Sequence, residues 1–459
     1  MNFLKSAAVV VAFGVGATSM ASVAGAQSLT DALINAYNHS ASLKSGRAGL
    51  RGSDEGVAQA WSALRPKLDA SGSFGNSNSS LSAIGSRTTS NLALSLSLTL
   101  WDGGATKLGI EVAKLNVEAL RQTLKNTEQQ ILLDAATAFM DMRRDAQFLD
   151  LAENNRAVIA KQVQAARDRF EVGEIRRTDV SQAEARLAGA LSVIALRQGT
   201  LEISRQAYFN ATGHYPGDLK TPPRPPKTPA SLEAAKSIAL RTHPSILRAK
   251  DASKIAELNI YRAQAAMKPA IRLSGSLSST TGSSVSGDTL SLSLGGSAPI
   301  YHGGALTSAY RQALALEEQS RFDIQLAGQR ITQNVTRFWA QLGIARASIT
   351  ARQKEVRSTR TALSGIREEA NLGARTTLDV LDAERAMVEA QTNLVSARRD
   401  ENVAAYSLLS AMGLLTVKHL QLGIKTYDVK ANYKKVSHAP GPSNRAKLLE
   451  KIFTRAGKK

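Results

Sequence analysis

The chain of 459 residues has no cysteine, only 12 prolines and 5% aromatic residues. Without cysteine, neither a disulfide nor a thiol-linked lipid anchor can form, so side-chain packing must stabilise the fold. Beyond the N-terminal segment, no stretch approaches the roughly 18 uninterrupted apolar residues of a membrane-spanning helix. The scarcity of aromatic residues, beside abundant alanine, leucine, serine, arginine and glutamine, favours long helices over compact mixed domains.

Sequence motifs of catalysis and cofactor binding are missing as well. The six histidines, at positions 39, 214, 243, 302, 419 and 438, show no metal-ligand spacing. The chain contains no GxxxxGK[ST], GxSxG or HExxH motif. We therefore expect a protein without enzymatic activity, metal or cofactor.

Residues 1–26 have the pattern of a bacterial secretory signal peptide. Lys5 precedes an apolar run from Ala7 to Val15, and Ala24-Gly25-Ala26 indicates cleavage before Gln27. The sequence therefore predicts a periplasmic, secreted or outer-membrane protein.

The chain is strongly basic, with a net charge of +20 and eleven Lys and Arg residues in the tail at 416–459. In the cytoplasm such a charge would suggest a nucleic acid partner, but export excludes one. Two interpretations remain, attraction to the anionic head groups of outer-membrane lipid and a plain solvated surface.

One unit of the sequence occurs twice. The stretch Phe170–Val180, FEVGEIRRTDV, returns as Ala370–Val380, ANLGARTTLDV. Each copy has a glycine between two helical patterns, which is typical of a helical hairpin tip. Arg65-Pro66 and Lys268-Pro269 match at a similar offset, as do Trp101-Asp102-Gly103-Gly104 and Tyr301-His302-Gly303-Gly304. This recurrence predicts a duplicated supersecondary unit.

The predicted organisation follows from this duplication. The first repeat spans 27–215 and the second 231–415, with hairpin tips near 173 and 373. An extended, proline-rich linker at 216–230 joins them, and a flexible basic tail follows at 416–459.

Each repeat also contains two stretches in which leucine alternates with small polar residues. They predict strands at 66–76 and 91–101, and at 269–280 and 288–300. Such strands suit a sheet with one face in lipid and the other facing a wet lumen. The alternative is a soluble sandwich, for which four strands are too few.

The helices are longer than a globular domain needs. Residues 105–170 contain no proline, and a continuous helix of that length would reach roughly 100 Å. Apolar and small residues recur at steps of four and three, which predicts a coiled-coil seam. They are Ile331, Val335, Phe338, Leu342, Ala345 and Ile349, with Ile131, Ala135, Ala138, Met142, Asp145 and Leu149 in the first repeat.

Four strands cannot close a sheet within one chain. An open backbone edge is costly in hydrocarbon, and about eight strands make the smallest barrel. Identical copies must therefore combine their strands, giving eight in a dimer or twelve in a trimer. The strand count by itself does not choose between them.

These residues resemble the TolC family of outer-membrane export channels, over about residues 28–415. The most specific match is the run from Gly373 to Ala383, GARTTLDVLDA. The resemblance implies a mainly helical fold with a transmembrane β-barrel closed by a homotrimer, four strands per chain, and a long helical barrel in the periplasm. It also implies partners: a periplasmic adaptor and an inner-membrane pump or ABC-type secretion transporter.

The resemblance assigns residues to a gated entrance. Asp379 and Asp382 match two aspartates that ring the periplasmic opening, where crowded carboxylates attract cations; the alternative is that Asp382 pairs with Arg385. Arg375 matches an arginine that latches the opening through the neighbouring hairpin, where Thr178 and Asp179 match its partners.

Two further features of this region are expected from the resemblance. Val172-Gly173 and Leu372-Gly373 match the tips that contact the adaptor, although they are also ordinary helix ends. Ala370 stands where some members have a tyrosine that forms a second latch contact, so the resemblance does not extend to this contact.

The sequence therefore predicts a passive, gated outer-membrane exit channel of an efflux pump or type I secretion system. A periplasmic coiled-coil scaffold or adhesin is the alternative, and a cell-envelope hydrolase is a third class that no residue pair recommends. The cargo is not indicated.

Overall fold

The structure, a computed structural model, describes residues 27–77, 87–282 and 286–436. The predicted signal peptide and residues 437–459 of the tail lie outside this part of the chain. The first repeat comprises α1 Leu29–His39, α2 Ala41–Ser62, β1 Lys67–Ser77, β2 Arg87–Trp101, α3 Ala105–Glu171 and α4 Arg177–Thr212. The second comprises α5 Leu232–Thr242, α6 Pro244–Ala265, β3 Ala270–Gly282, β4 Ser286–Ser297, α7 Ala305–Asn371 and α8 Thr377–Ala411, and a short helix α9 Ala431–Val436 follows.

Each repeat begins with a pair of helices separated by a break. Ser28 caps α1 and Ser231 caps α5, each by accepting a backbone hydrogen bond with its side chain. Ser40 leaves helical geometry between α1 and α2, and its hydroxyl caps α2 through the Leu43 amide. Pro244 starts α6, because proline fits the first turn of a helix but not its interior.

The long helices α3 and α7 have 67 residues each and run without interruption. At about 1.5 Å per residue, each is roughly 100 Å long. Several members of the predicted seam are buried, among them Val335, Leu342 and Ala135, while Phe338 is partly buried against the same core. No helix of the described part of the chain has both the length and the apolar character to cross a bilayer.

The four strands form one antiparallel sheet in the order β1-β2-β3-β4. Leucines lie opposite one another across it, as Leu94 does opposite Leu277 and Leu277 opposite Leu290. These positions share one face, and Leu290 on this face is 80% exposed. On the other face, serine hydroxyls of β3 and β4 pair across the strands at 2.8–3.0 Å. The sheet is thus apolar on one side and polar on the other.

The strand limits differ by a few residues from those predicted. β2 begins at Arg87 instead of 91, and β4 covers Ser286–Ser297 instead of 288–300. The polar residues Thr88 and Thr89 continue the ladder opposite β1, although they lack the leucine alternation.

The largest core lies where the short helices pack on the middle of α3 and the end of α8. Buried side chains there include Phe139, Tyr208, Leu408 and Met412. The linker runs beside it without helix, and Gln27 forms a parallel bridge with Leu219. Because its buried apolar side chains come from both repeats, this core holds the two repeats together.

The prediction of a flexible tail is wrong for residues 416–436. Val417 and Leu422 are buried in the main core, and the Val417 amide donates to Glu128 at 2.8 Å. Asn432 in α9 donates to Asp54 at 3.0 Å. Apolar side chains that alternate with the lysines pack this segment against the core. Its basic composition therefore does not indicate whether it is ordered.

Candidate entrance at the hairpin tips

The two hairpin tips have the same backbone. Gly173 and Gly373 each have φ of +78°, a left-handed conformation that favours glycine. The turns close through equivalent hydrogen bonds of 2.9 Å, one from the Glu174 amide to the Arg169 carbonyl and one from Ala374 to Glu369. The duplicated sequence therefore folds into duplicated tips.

An apolar side chain projects beside each tip glycine. Val172 is 71% exposed and Leu372 is 85% exposed. Nothing lies within 4 Å of the space that a Cβ on Gly173 or Gly373 would occupy. These four residues thus form an open, apolar end on each hairpin.

The helix that leaves each tip begins with an aspartate in its first turn. Asp379 Oδ2 accepts from the Thr376 amide at 2.9 Å and from its hydroxyl at 2.8 Å. These bonds, the backbone one foremost, lower the pKa of Asp379. Asp179 accepts from the Arg176 amide at 3.2 Å in the first repeat. Both aspartates therefore start their helices, a role that the Thr-x-x-Asp spacing at 376–379 signals.

Asp382 has a partner that the sequence did not reveal. Its Oδ1 accepts from Arg186 Nη2 at 2.8 Å, which links α8 to α4 of the other hairpin. The same-helix pair with Arg385, considered as an alternative, is not among the ion pairs of residues 27–77, 87–282 and 286–436. Because 196 residues separate Arg186 from Asp382, no local pattern indicates this bond.

An apolar contact lies next to this ion pair. Leu381 of α8 is only 5% exposed and packs in a cluster that otherwise belongs to the first hairpin. The other buried members of the cluster are Ile159, Val163, Ala166, Ala183 and Ala190. The two hairpins of one chain are therefore held together near their tips.

Arg375 forms its ion pair within its own hairpin. Its Nε donates to Glu369 Oε2 at 2.7 Å, and this bond raises the pKa of Arg375. Among the hydrogen bonds of the described residues there is none from Arg375 to Thr178 or Asp179. Arg375 and Asp179 nevertheless line one groove of about 510 Å³ between the tips, so the structure brings them to the same place without joining them.

Each hairpin contains an equivalent ion pair behind its tip. Arg167 donates to Glu184 at 2.6 Å in the first repeat, and Arg367 donates to Glu384 in the second. The offset of 200 residues is kept in both partners. Within the described residues, no group of three or more acidic or histidine side chains is arranged to hold a metal ion.

Comparison with known proteins decides the family. The family model described as "Outer membrane efflux protein" matches residues 32–214 and 236–414, which takes in both repeats. The chain belongs to the outer membrane efflux protein family. The predicted resemblance to TolC-like channels is confirmed.

Relatives in this family share most of the chain's length. The outer membrane efflux protein BepC of Brucella suis is 36% identical over 434 residues, which cover 94% of each chain. TolC of Vibrio cholerae is 27% identical over 316 residues, 65% of this chain and 72% of TolC. The crystal structure of CusC has a TM-score of 0.74 at 21% identity, covering 84% of this chain and 92% of CusC.

The family membership and the fold together establish the class of protein. The chain is an outer-membrane efflux channel with long helical hairpins and an antiparallel sheet. The predicted location in the outer membrane is confirmed, and so is the predicted combination of long helices with four antiparallel strands per chain; the homotrimer stays a prediction. Proteins of this family are channels, which agrees with the lack of catalytic motifs.

Proposed function

We propose that three copies of this chain form one passive exit duct, with the tips of the hairpins closing its periplasmic entrance. The four-stranded sheet carries the proposal. β1 pairs only with β2 and β4 only with β3 among the described strands, so both outer edges are open. With leucines exposed on one face, the sheet needs further strands at its edges to be stable in lipid.

The width that a duct requires favours three copies over two. A barrel of eight strands is filled by its own side chains, whereas a larger one leaves a channel. Twelve strands from three copies satisfy this condition, and eight from a dimer do not. The serine-rich face then lines a polar lumen. We infer that energy for transport comes from an inner-membrane pump or ABC-type transporter, since the sequence contains no GxxxxGK[ST] phosphate-binding motif.

At the entrance, threefold symmetry would gather Asp379 and Asp382 of each copy around one axis. The resulting six carboxylates attract cations and select against anions. Arg375 and Asp179 line the same groove between the tips, so an Arg375 side chain released from Glu369 would have an acidic partner on a neighbouring hairpin. We assign Arg375 to the latch on this ground, with Thr178 and Asp179 as its candidate partners.

Mass measurement and conductance test the duct. The detergent-solubilised protein should have the mass of a trimer and should form channels in planar lipid bilayers. A monomer that stays soluble without detergent and conducts no ions would instead favour the coiled-coil scaffold.

The latch has a separate test. Arg375→Ala and Asp179→Ala should each raise single-channel conductance, because either change removes one side of the contact that narrows the entrance. Arg360→Ala, which changes an exposed arginine of α7 away from the tips, should leave conductance unchanged. Unchanged conductance in both tip variants would reject the latch while leaving the duct intact.

The tips are the proposed contact with a periplasmic adaptor. Because the chain has no cysteine, a single introduced cysteine reports its own position. Val172→Cys and Leu372→Cys should crosslink to an adaptor in intact cells, whereas Ile203→Cys, exposed far along α4, should not. Equal crosslinking at all three positions would reject the tip contact. Mass spectrometry of the adduct would also identify the adaptor and, through it, the transporter.

A further inference from the structure

A pocket lies beneath the proline-rich linker, at a distance from the hairpin tips. It has a volume of about 330 Å³ and lies between the middle of α3, the second half of α8 and linker residues 221–225; we call it the linker pocket. Residue 147, at its edge, is 26 residues from the tip at Gly173, or about 40 Å along the helix. The pocket is therefore separate from the entrance.

The linker is fastened over α3 by a side chain of the pocket itself. Arg143 Nη2 donates to Thr221 Oγ1 at 3.0 Å, and its Nη1 donates to the Lys220 carbonyl at 3.4 Å. Prolines then hold the linker extended, because their φ is fixed. The apolar part of the wall comprises Met140, Pro222, Pro223, Pro225 and Val395. A small molecule would thus meet a preformed apolar wall.

Five arginines line the linker pocket, and two of them have carboxylate partners. They are Arg143, Arg144, Arg224, Arg398 and Arg399. Arg144 pairs with Asp145 at 2.8 Å and with Asp141 at 3.1 Å, and Arg399 pairs with Asp141 at 2.7 Å and with Asp400 at 3.0 Å. Both of these guanidinium groups are therefore neutralised locally.

The other three arginines have no carboxylate partner among the described residues. Arg143 donates its side-chain hydrogen bonds to the linker. Arg224 and Arg398 are exposed and form no ion pair among the described residues. The one acidic residue in the lining, Glu401, lies 3.5 Å from Arg346, which is outside the pocket. The linker pocket therefore carries uncompensated positive charge.

Two of these guanidinium groups also act on each other. Burial, first, and the positive charge of Arg398, second, lower the pKa of Arg143. Both arginines line the same pocket, and an anion bound between them would relieve their mutual repulsion.

We propose that the linker pocket binds a small molecule that carries a phosphate or carboxylate group and a short apolar part. Planar guanidinium groups match both oxyanions in bidentate fashion. The prolines and Val395 would contact the apolar part. The volume is at the lower end of the roughly 300–1,000 Å³ typical of small-molecule sites, so the ligand is small. The pocket is complete within one chain and does not depend on the proposed duct.

Calorimetric titration of the full chain in nonionic detergent tests the site. The probes are phenyl phosphate, benzoate, inorganic phosphate and, as an uncharged control, phenol. Phenyl phosphate or benzoate should bind saturably and more tightly than inorganic phosphate, and phenol should not bind. The tighter of the first two identifies the preferred head group.

Variants then locate the binding. Arg398→Gln and Arg224→Gln should each raise the Kd of the better probe by about tenfold, the usual effect of one charge-assisted hydrogen bond. Arg385→Gln is the matched control, because it removes an exposed arginine from the same helix, 13 residues away. Its Kd should equal that of the unaltered protein.

Three results would overturn the proposal. One is the absence of saturable binding by every probe. The second is an unchanged Kd in both pocket variants, and the third is an equal loss in Arg385→Gln, which would indicate general charge attraction. Conductance should be the same in Arg398→Gln and Arg224→Gln as in the unaltered protein, which keeps this test independent of the proposed gate.

Discussion

Arg186 of α4 donates from Nη2 to Asp382 Oδ1 of α8 across 2.8 Å, and so joins the two hairpins of the chain. Leu381, the neighbour of Asp382, is buried in the apolar cluster of the first hairpin. An ion pair and an apolar anchor thus act at one place. We expect the two tips of one chain to move together when the entrance opens.

The ion pair predicts how the entrance responds to multivalent cations. Arg186→Gln should free Asp382 and lower the blocking concentration by about fivefold, since one charge at 4 Å in water contributes about 1 kcal/mol. Block of single-channel current by a trivalent cation measures this.

Controls separate this effect from a general loss of positive charge. Arg385→Gln also removes one arginine from the tip region, but that residue has no ion pair among those described. It should change the block by less. Asp379→Asn with Asp382→Asn should weaken the block, and undiminished block in that variant would reject the acidic ring.

The equivalent ion pairs of the two hairpins should differ in their effect on stability. The Glu384 side chain is 8% exposed and the Glu184 side chain 45% exposed, while their arginine partners are similarly exposed. Arg367→Met leaves a buried carboxylate unpaired and should lower the free energy of unfolding by about 1–3 kcal/mol. Arg167→Met, the matched control, should lower it by less than about 1 kcal/mol. Denaturation in detergent followed by circular dichroism gives both values, and equal losses would contradict the role of burial.

Two glycines with nearly the same φ should tolerate alanine differently. Gly413 has φ of +76° and Gly373 has φ of +78°. A Cβ on Gly413 would lie 2.7 Å from His243 Cα, whereas nothing lies within 4 Å of one on Gly373. Gly373→Ala should cost about 1–2 kcal/mol for the left-handed backbone, and Gly413→Ala about 2–5 kcal/mol because the clash is added. The same denaturation experiment compares them, and similar costs would show that the backbone near His243 yields to the added methyl group.

His243 should make the stability depend on pH. Burial lowers the pKa of His243 from 6.5 to about 4, and the neutral Nδ1 accepts from the Ser245 amide at 3.1 Å. Between pH 6.5 and about 4, His243 is protonated in the unfolded chain and neutral in the folded chain. The free energy of unfolding is therefore highest above pH 6.5 and falls as the pH drops toward 4. The slope should approach about 1.4 kcal/mol per pH unit.

The variant His243→Asn provides the comparison for this prediction. Asparagine keeps a side-chain acceptor at the start of α6 but does not titrate. The difference in stability between pH 7 and pH 5 should therefore be smaller in the variant. An identical difference would show that other groups cause the acid sensitivity.

The sequence by itself determined those features that depend on short-range patterns. The alternation of leucine and serine indicated the strands, the proline-free stretches indicated the long helices, and Gly173 and Gly373 indicated the tips. These features follow from local backbone preferences and from hydrophobic periodicity, and both can be recognised within a short stretch of sequence. Duplication strengthened each of them, because every pattern is present twice.

Tertiary structure decided the contacts between distant segments. Arg186 contacts Asp382, residues 416–436 pack on the core, and the linker lies over Arg143 of the first repeat and Arg398 of the second. Each of these depends on burial and charge balance summed over segments that lie far apart in the chain. A short sequence pattern does not report these long-range terms. For this reason the prediction of a flexible tail fails at residues 416–436, and the sequence does not predict the linker pocket.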